Sequence, residues 1–575
     1  MDSVDSVDAE ITPLRERLAD LLRTAVAAAQ AAERVPEVAI PDFTVEPPPR
    51  PEQGDYATNL ALRLARAARM QPRQLAAAII ESLPAHPMVG QADVAGAGFI
   101  NFRLEPSWLA GQVATVLAAG AKFGTTNTGK GQRYQVEFVS ANPTGPLHAG
   151  SGRAAALGDA LARLLAATGA DVKREYYVND AGSRMEVFGQ SVHARYLQHF
   201  GVDAEVPDDG YVGPYVREEA AALARDLGDS WVSAPAEAAA AELGRLAMER
   251  MVALHRADMD ALDVQFDRWF REQGLYDRGE VEDTTGFLRS RGLVTEREGA
   301  VWFTSTALGE DKDNVLIRST GVPGYLASDI AYHRDKLVTR GFDTVIDIWG
   351  ADHQGHVPRM MASVEALGID PSRLVIIVHQ MVTLKRGDEV VRLSKRTGDI
   401  VPLAEVIEEV GADACRYFFL ARSPDSHMDF DLELAARQSA ENPVYYVQYS
   451  YARLAGIRCR ALEAGFEPEG GDLSLLTAPA EQRLMRWIWR YPEAVQDAAR
   501  LLQPHHLPHF ALEFAREFHA FYEQCRVVDA DDPQRTRARL MLAETARVVL
   551  GNVLRLMGVA APERMAREEA ADAAD

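Results

Sequence analysis

The segment of residues 134–178 constrains the fold of this chain more than any other part of the sequence. It begins with YQVEFVSA, whose alternation is typical of a strand, and continues into the glycine- and proline-rich turn NPTGPLHAGSG. A helix with an apolar face follows and stops at Gly169, and VKREYYV is typical of a second strand. Because two strands joined through a helix run parallel in one sheet, this unit predicts an α/β fold of the Rossmann type.

Two later segments extend the same pattern. Residues 344–350 and 373–382 are strand-like and flank a helix, so they are expected in the same parallel sheet. Between the two halves, residues of about 185–275 are rich in Ala and Glu and predict helices. A second interruption at about 283–320 contains short alternating runs that predict small antiparallel strands. The sequence therefore predicts one parallel-sheet domain with two insertions.

Composition divides the rest of the chain into two further domains. GTTNTGKGQ has linker composition, which predicts an α+β N-terminal domain over residues 1–128, with a helix in 11–34 and a strand in 95–104. The parallel-sheet domain then occupies residues 129–435. Nearly all of residues 436–575 has helical periodicity, which predicts an all-α C-terminal bundle.

Charge and cysteine usage limit the function classes. The net charge of −23 counts against a protein that binds nucleic acid indiscriminately, since such proteins carry a basic footprint. Cys415, Cys459 and Cys525 are far apart, which argues against a disulfide framework and a cysteine zinc site. The N-terminus lacks a signal pattern, and no uncharged apolar run approaches the roughly 20 residues of a membrane span. A cytoplasmic protein without a membrane partner is expected.

The turn after the first strand has the properties of a phosphate site. His148 stands immediately before a helix, whose free N–H groups and dipole attract anions, and Gly145, Gly150 and Gly152 allow close backbone approach. His148 could donate to a phosphoryl oxygen. Two other interpretations remain open: residues 150–155 match the dinucleotide fingerprint GxGxxA, and a plain strand–helix turn would look similar. The Pro-Thr-Gly-Pro run before the glycines disfavours the tighter dinucleotide turn.

A second basic motif follows the last predicted strand of the sheet. Three cations in five residues could hold a leaving pyrophosphate, although a solvated basic loop is the simpler interpretation of this segment alone. The motif consists of Arg392, Leu393, Ser394, Lys395 and Arg396.

Together, the two motifs resemble the two nucleotide-binding motifs of class I aminoacyl-tRNA synthetases. Further segments narrow the resemblance to arginyl-tRNA synthetases: VEFVSANPTGPLHAG, REYYVNDAG, DGYVGPYV, GYLASDIAYHRDK, DIWGADHQGHVPRM and ENPVYYVQYSYARL. The resemblance runs from about residue 54 to residue 565. It makes the parallel-sheet domain the catalytic domain and the C-terminal bundle the anticodon-binding domain.

This resemblance implies a ligase that activates L-arginine with ATP and transfers it to arginine-accepting tRNA through an arginyl-adenylate. In the family, bound tRNA is required for activation, Mg²⁺ accompanies ATP, and a monomer is the default; no zinc, other metal site or obligate protein partner is expected. His148, Ser151 and Lys395 are the implied catalytic residues. The implied ATP contacts are Gly145, His148, Gly150, Ser151, Gly152, Arg392, Leu393, Ser394, Lys395 and Arg396. Ser151 replaces the second histidine usual in the first motif, and a serine cannot carry charge.

An arginine substrate needs a partner for its guanidinium. Tyr325, Asp329 and Tyr332 lie at i, i+4 and i+7, so a helix would place them on one face, and a carboxylate pairs bidentately with guanidinium. The same spacing also fits a core-facing tyrosine surface. The resemblance places this segment at the arginine site and adds four candidates: Ser140, Asn142, Asn179 and Gln354.

Aromatic side chains at the two ends of the chain are candidates for tRNA contact, because aromatic faces stack on unpaired bases. They are Tyr445 and Tyr449 in the C-terminal helices, and Tyr56 and Phe102 in the segment that resembles the module contacting the tRNA elbow, where the polar Asn59 is a further candidate. Helix packing is the alternative for each tyrosine. For the whole chain, a catalytically impaired synthetase-like tRNA-binding protein and a GxGxxA oxidoreductase remain as alternatives. Ser151 favours the former, and His148 and Lys395 oppose it.

Overall fold

The computed structural model describes residues 12–391 and 401–565. The N-terminal domain packs helices against a four-stranded antiparallel sheet of order β1-β2-β4-β3. Its elements are α1 Leu14–Ala31, β1 Val45–Glu46, β2 Tyr56–Thr58, α2 Leu60–Ala68, α3 Pro72–Glu81, β3 Val89–Ala95, β4 Phe99–Leu104 and α4 Pro106–Ala119. Residues 95–104 were expected to form one strand. They contain instead the end of β3, a turn and β4, because Gly96 and Gly98 adopt positive φ and turn the chain between the two strands.

The catalytic-type domain is built on a five-stranded parallel sheet of order β12-β11-β5-β6-β7, which confirms the predicted fold class. Its first half comprises β5 Arg133–Glu137, α5 Ala149–Ala167, β6 Asp171–Val178, α6 Ser183–His199, α7 Pro214–Leu227, α8 Ala236–Ala261 and β7 Arg268–Arg271. The sequence placed residues 268–271 inside a helical insertion, whereas they form a strand of the sheet.

The second half begins with α9 Gln273–Asp277 and α10 Glu280–Ser290. Three short antiparallel strands follow, as expected, in the order β10-β9-β8. The remaining elements are β8 Val294–Arg297, β9 Ala300–Phe303, β10 Asn314–Ile317, α11 Tyr325–Arg334, β11 Thr344–Gly350, α12 Val357–Ala366 and β12 Leu374–His379. Strand order reverses between β5 and β11, and ligands of open α/β sheets bind outside the carboxyl ends of the strands at such a switch point.

A small sheet and four long helices complete the chain. The small sheet has the order β14-β13-β15, and the expected strand 373–382 is divided between β12 and β13. The elements are β13 Val382–Arg386, β14 Glu389–Val390, α13 Leu403–Val410, α14 Ala412–Leu420, β15 Met428–Asp431, α15 Leu432–Ala436, α16 Pro443–Glu463, α17 Pro479–Arg500, α18 His506–Gln524 and α19 Pro533–Met557. In residues 12–391 and 401–565, no helix is long and apolar enough to cross a membrane.

The N-terminal domain is fixed to helix α17 by buried polar contacts. Tyr56 donates its hydroxyl hydrogen to Oε1 of Glu493 over 2.9 Å, and the backbone N–H of Arg15 donates to the same atom over 2.9 Å. The Arg15 guanidinium also lies 2.6 Å from Asp497. These contacts join the two ends of the chain into one body.

Candidate active site

The turn after β5 is strained at the switch point. β5 ends at Glu137, four residues earlier than the sequence indicated, because Val139 and Ser140 adopt φ of 69° and 41°. Such conformations cost about 1–3 kcal/mol each and persist where neighbouring contacts enforce them. The Ser140 hydroxyl donates to Oε1 of Glu137 over 3.0 Å and accepts from the backbone N–H of Tyr177 over 3.1 Å. Ser140 is therefore held at the carboxyl ends of β5 and β6.

His148 occupies the N-cap of α5. Its Nδ1 accepts the backbone N–H of Gly150 over 3.0 Å, so the proton of the neutral ring lies on Nε2, which can donate to an anion. Ser151 follows in the first turn and is nearly buried. Gly152 is needed for packing, since a Cβ there would lie 2.7 Å from Cδ1 of Leu403. The helix start and His148 together have the geometry that could bind an anion.

The second motif, residues 392–396, lies outside the described residues. The chain that follows it is anchored beside the first motif, because the backbone N–H of Leu403 donates to the carbonyl of Leu147 over 2.8 Å. Pro402 also forms an isolated bridge with His148. The segment leading out of the second motif thus meets the residue that caps α5.

Helix α11 carries the expected tyrosines and aspartate, but their roles differ. Tyr325 is 46% exposed, and its hydroxyl lies 3.4 Å from Oγ of Ser183. Tyr332 is only 3% exposed and donates to Oε1 of Glu175 over 2.6 Å, so its hydroxyl oxygen can still accept a hydrogen bond but cannot donate one to a ligand. No described side chain donates a hydrogen bond to Asp329, and burial raises the pKa of this carboxyl to about 6.

Glu272 is a candidate site residue that the sequence did not indicate. It follows β7 directly, is buried, and lies beside Tyr177, Ser328 and Asp329. Its Oε2 and the Tyr177 hydroxyl have no hydrogen-bond partner in the described part of the chain. Burial raises the pKa of Glu272 to about 7; the nearby Ser328 hydroxyl opposes this rise, and repulsion by Asp329 adds to it. The available signal was an acidic residue at the carboxyl end of a parallel strand, and it was missed because the strand was missed.

Besides Asp329 and Glu272, three buried carboxylates form a row across the sheet. Asp347 on β11, Glu137 on β5 and Glu175 on β6 are register neighbours. Lys336 contacts Glu137 and lies 2.9 Å from Asp347. Burial alone would lower the pKa of Lys336, but the two carboxylates raise it above its usual value.

The remaining members of the row also have cationic or hydrogen-bonding partners. Nη2 of Arg340 lies 2.9 Å from Oε1 of Glu175. His333 places Nε2 2.8 Å from Oδ2 of Asp347 and Nδ1 2.8 Å from the carbonyl oxygen of Asp329. Every member of the row is compensated, whereas Asp329 and Glu272 are not hydrogen-bonded to a cation among the described residues. A half-buried and a buried carboxylate to which no described cation donates a hydrogen bond could together accept a cation.

Three further predicted residues follow strand ends at the same edge of the sheet. Asn142 is exposed after β5, Asn179 is half-buried after β6, and Gln354 is exposed after β11. Since the carboxyl ends of parallel strands meet at one edge, the fold brings all three to the switch-point side of the sheet.

The candidate tRNA contacts divide into accessible and buried residues. Tyr445 and Tyr449 are half-buried on α16, with ring centroids 6.1 Å apart and planes 8° from parallel. Tyr56 and Phe102 are buried in the N-terminal domain, so neither ring is presented to RNA, which corrects that expectation. The Asn59 Oδ1 accepts the backbone N–H of Thr44 over 3.0 Å.

Family models match this chain in three parts, in the order of the three domains described above. "Arginyl tRNA synthetase N terminal domain" matches residues 16–104, "tRNA synthetases class I (R), catalytic domain" matches residues 112–419, and "DALR anticodon binding domain" matches residues 447–565. The arginine–tRNA ligase of Dehalococcoides mccartyi strain CBDB1 is 48% identical over 555 residues, 96% of this chain and 100% of that protein. That of Moorella thermoacetica is 48% identical over 96% of this chain and 99% of that protein.

The chain belongs to the arginyl-tRNA synthetase family. A solved structure of Thermus thermophilus arginyl-tRNA synthetase has the same fold, with a TM-score of 0.75 at 23% identity over 96% of this chain and 100% of that chain. Membership of the arginyl-tRNA synthetase family sets aside the oxidoreductase interpretation, because the GxGxxA match lies inside the catalytic-domain match. The expected domain limits at residues 128 and 435 stay predictions.

Proposed function

We propose that the chain ligates L-arginine to its tRNA with ATP, through an arginyl-adenylate. The observation that carries this proposal is the pair Asp329 and Glu272, to which no described cation donates a hydrogen bond, in a domain whose relatives are arginine–tRNA ligases. A guanidinium offers five N–H donors in a planar fork, which suits two carboxylates and the hydroxyl of Tyr177. Binding it would satisfy polar atoms that the protein leaves unpaired.

The first step would join the arginine carboxylate to the α-phosphorus of ATP, with pyrophosphate leaving. This step needs positioning and charge stabilisation rather than a side-chain nucleophile. Nε2 of His148 and the first N–H groups of α5 would donate to phosphate oxygens. By family resemblance, Lys395 and the neighbouring cations would stabilise the leaving pyrophosphate, with Mg²⁺ bound to the ATP phosphates. The cytoplasmic location, the monomeric state and the tRNA requirement also stay predictions.

Selectivity for arginine follows from the same pocket. Lysine presents a compact ammonium with three donors that cannot pair bidentately with a carboxylate, and citrulline is neutral. Citrulline would leave both carboxylates without a cation, and lysine would leave part of the hydrogen-bonding capacity of the site unused. We infer that the enzyme discriminates at binding.

ATP–pyrophosphate exchange with each amino acid, with and without arginine-accepting tRNA, tests the function. We expect exchange only with arginine and tRNA together. Absence of exchange above background, with tRNA binding intact, would instead support the impaired tRNA-binding alternative that Ser151 suggests.

The raised carboxyl pKa values predict a pH dependence. Guanidinium binds the ionised forms of Asp329 and Glu272, whose pKa values of about 6 and 7 in the free protein mean that lowering the pH protonates them. We expect kcat/KM for arginine to fall roughly tenfold or more from pH 8 to pH 6, since this quantity reports free-enzyme pKa values. kcat/KM for ATP over the same range is the control, and an equal fall in both would contradict the assignment.

The stacked tyrosines of α16 predict a tRNA contact. Arg453 lies 4.7 Å from the ring centroid of Tyr449 and donates to its hydroxyl over 2.9 Å, giving a cationic and aromatic surface. Because base stacking contributes about 1–3 kcal/mol, Tyr449→Ala should raise KM for tRNA by roughly tenfold. Tyr449→Phe keeps the ring and should change it little. If both variants behave alike, Tyr449 does not stack on a base.

A further inference from the structure

Two buried side chains outside the site connect its turn to the helical insertion. The backbone N–H of Ala141 donates to the Tyr176 hydroxyl over 3.2 Å, and this hydroxyl lies 2.9 Å from Nδ1 of His255 on α8. Nε2 of His255 lies 2.8 Å from the carbonyl oxygen of Gly145. Tyr176 and His255, named here the tether, therefore join the start and the end of the turn segment 141–145.

The hydrogens of the tether can be assigned in one direction. The Gly145 carbonyl can only accept, so Nε2 of His255 donates to it. In a neutral ring Nδ1 then accepts from the Tyr176 hydroxyl over 2.9 Å, a shorter contact than the 3.4 Å from this hydroxyl to the carbonyl oxygen of Ala141, and the hydroxyl oxygen accepts from the N–H of Ala141. Both side chains are essentially fully buried, and burial lowers the pKa of His255, which favours the neutral ring. Each group of the tether has a partner of the correct kind, as expected for a fixed geometry.

The turn needs such support because its backbone is strained. Val139 and Ser140, immediately before Ala141, adopt positive φ, which a β-branched residue rarely does. At the other end, the ring of Tyr215 on α7 covers Gly145 so closely that a Cβ there would lie 3.2 Å from the tyrosine hydroxyl. The insertion thus contacts the turn from α7 and α8, and those helices are not part of the parallel sheet.

We propose that Tyr176 and His255 are positioning residues for ATP, which fix segment 141–145 so that His148 and the start of α5 meet the phosphates. This inference rests on the proposed placement of ATP at this turn. It assigns a role in nucleotide binding to an insertion that the two nucleotide-binding motifs do not include. The tether touches neither ATP nor arginine itself.

Kinetics of the full-length enzyme in the exchange assay with tRNA test the tether. Tyr176→Phe removes one oxygen, and His255→Leu removes both hydrogen bonds; each should raise KM for ATP by about tenfold and KM for arginine clearly less, since of this segment only Asn142 is an arginine candidate. His255→Gln should restore most of the ATP affinity, since its amide nitrogen can still donate to Gly145. Tyr196→Phe is the matched control, because Tyr196 is equally buried in the insertion and donates to the carbonyl of Gly228, away from the turn.

The outcomes separate the inference from the function on which it rests. If Tyr176→Phe lowers the melting temperature as Tyr196→Phe does and neither changes KM for ATP, the tether is only structural and the inference is wrong. An equal rise of KM for ATP and arginine would also overturn it. His148→Ala distinguishes the two proposals. If it leaves KM for ATP unchanged, ATP does not bind at this turn. If His148→Ala raises KM for ATP but Tyr176→Phe and His255→Leu do not, ATP binds at this turn and only the proposed role of the tether is wrong.

Discussion

Asp329→Asn should raise KM for arginine roughly 100-fold while changing KM for ATP little. Asp329 is the half-buried carboxylate of α11 to which no described side chain donates, so its negative charge is available for the guanidinium. Removing one partner of a desolvated charge pair costs about 2–5 kcal/mol, which includes the penalty on the charge left behind. Steady-state kinetics of aminoacylation measure both constants.

Citrulline and a second aspartate sharpen this test. Because citrulline lacks the positive charge of arginine, Asp329→Asn should reduce the ratio by which the enzyme prefers arginine over citrulline. Asp335→Asn is the matched control, since Asp335 is buried near the end of the same helix but lies 2.8 Å from Nε of Arg340. If both variants lost arginine affinity equally, Asp329 would not be the residue that binds the guanidinium.

Lys336→Met should be the most destabilising single change near the site. Lys336 is fully buried between Glu137 and Asp347, so the substitution leaves two buried carboxylates without their cation, and only Asp347 keeps a contact to His333. Breaking a buried ion pair from one side costs about 3–5 kcal/mol. We expect the melting temperature, measured by calorimetry, to fall on the order of 10 °C.

Lys173→Met is the comparison for this prediction. Lys173 lies 3.5 Å from Asp171, but both side chains are about half exposed, and such pairs contribute about 0–1 kcal/mol. Its melting temperature should stay close to that of the parent protein. Similar shifts in the two variants would mean that the buried row does not depend on its lysine.

Local patterns in the sequence were sufficient for the fold class and for helix α11. The parallel sheet, the antiparallel insert and the C-terminal helices follow from apolar periodicity, which burial on one face imposes. Tyr325, Asp329 and Tyr332 do lie on one helix, the condition under which their spacing gives a shared face. The spacing could not show that the Tyr332 hydroxyl donates to Glu175, because that partner lies on a strand 157 residues away in the sequence.

Two site features depended on information that local patterns do not contain. β7 is four residues long with arginine at each end, so neither its strand character nor the position of Glu272 was evident. β5 was extended to residue 141 because Val139 favours strands, whereas tertiary contacts hold it in a left-handed conformation. The burial of Tyr56 and Phe102 likewise depends on their surroundings, for Tyr56 the contact with Glu493 on α17.

The carboxylate row also links the alignment of the sheet to its electrostatics. Successive side chains of a strand point to opposite faces, so a slip of β11 by one residue would move Asp347 away from Lys336 to the other face of the sheet. That face packs on α5, where Phe138 fills the space above Gly158. An unpaired ion in this apolar layer is strongly unfavourable. The buried carboxylates of the row and Lys336 therefore also favour the correct register of β11 during folding, because a strand shifted by one residue would carry an unpaired charge even before any substrate binds.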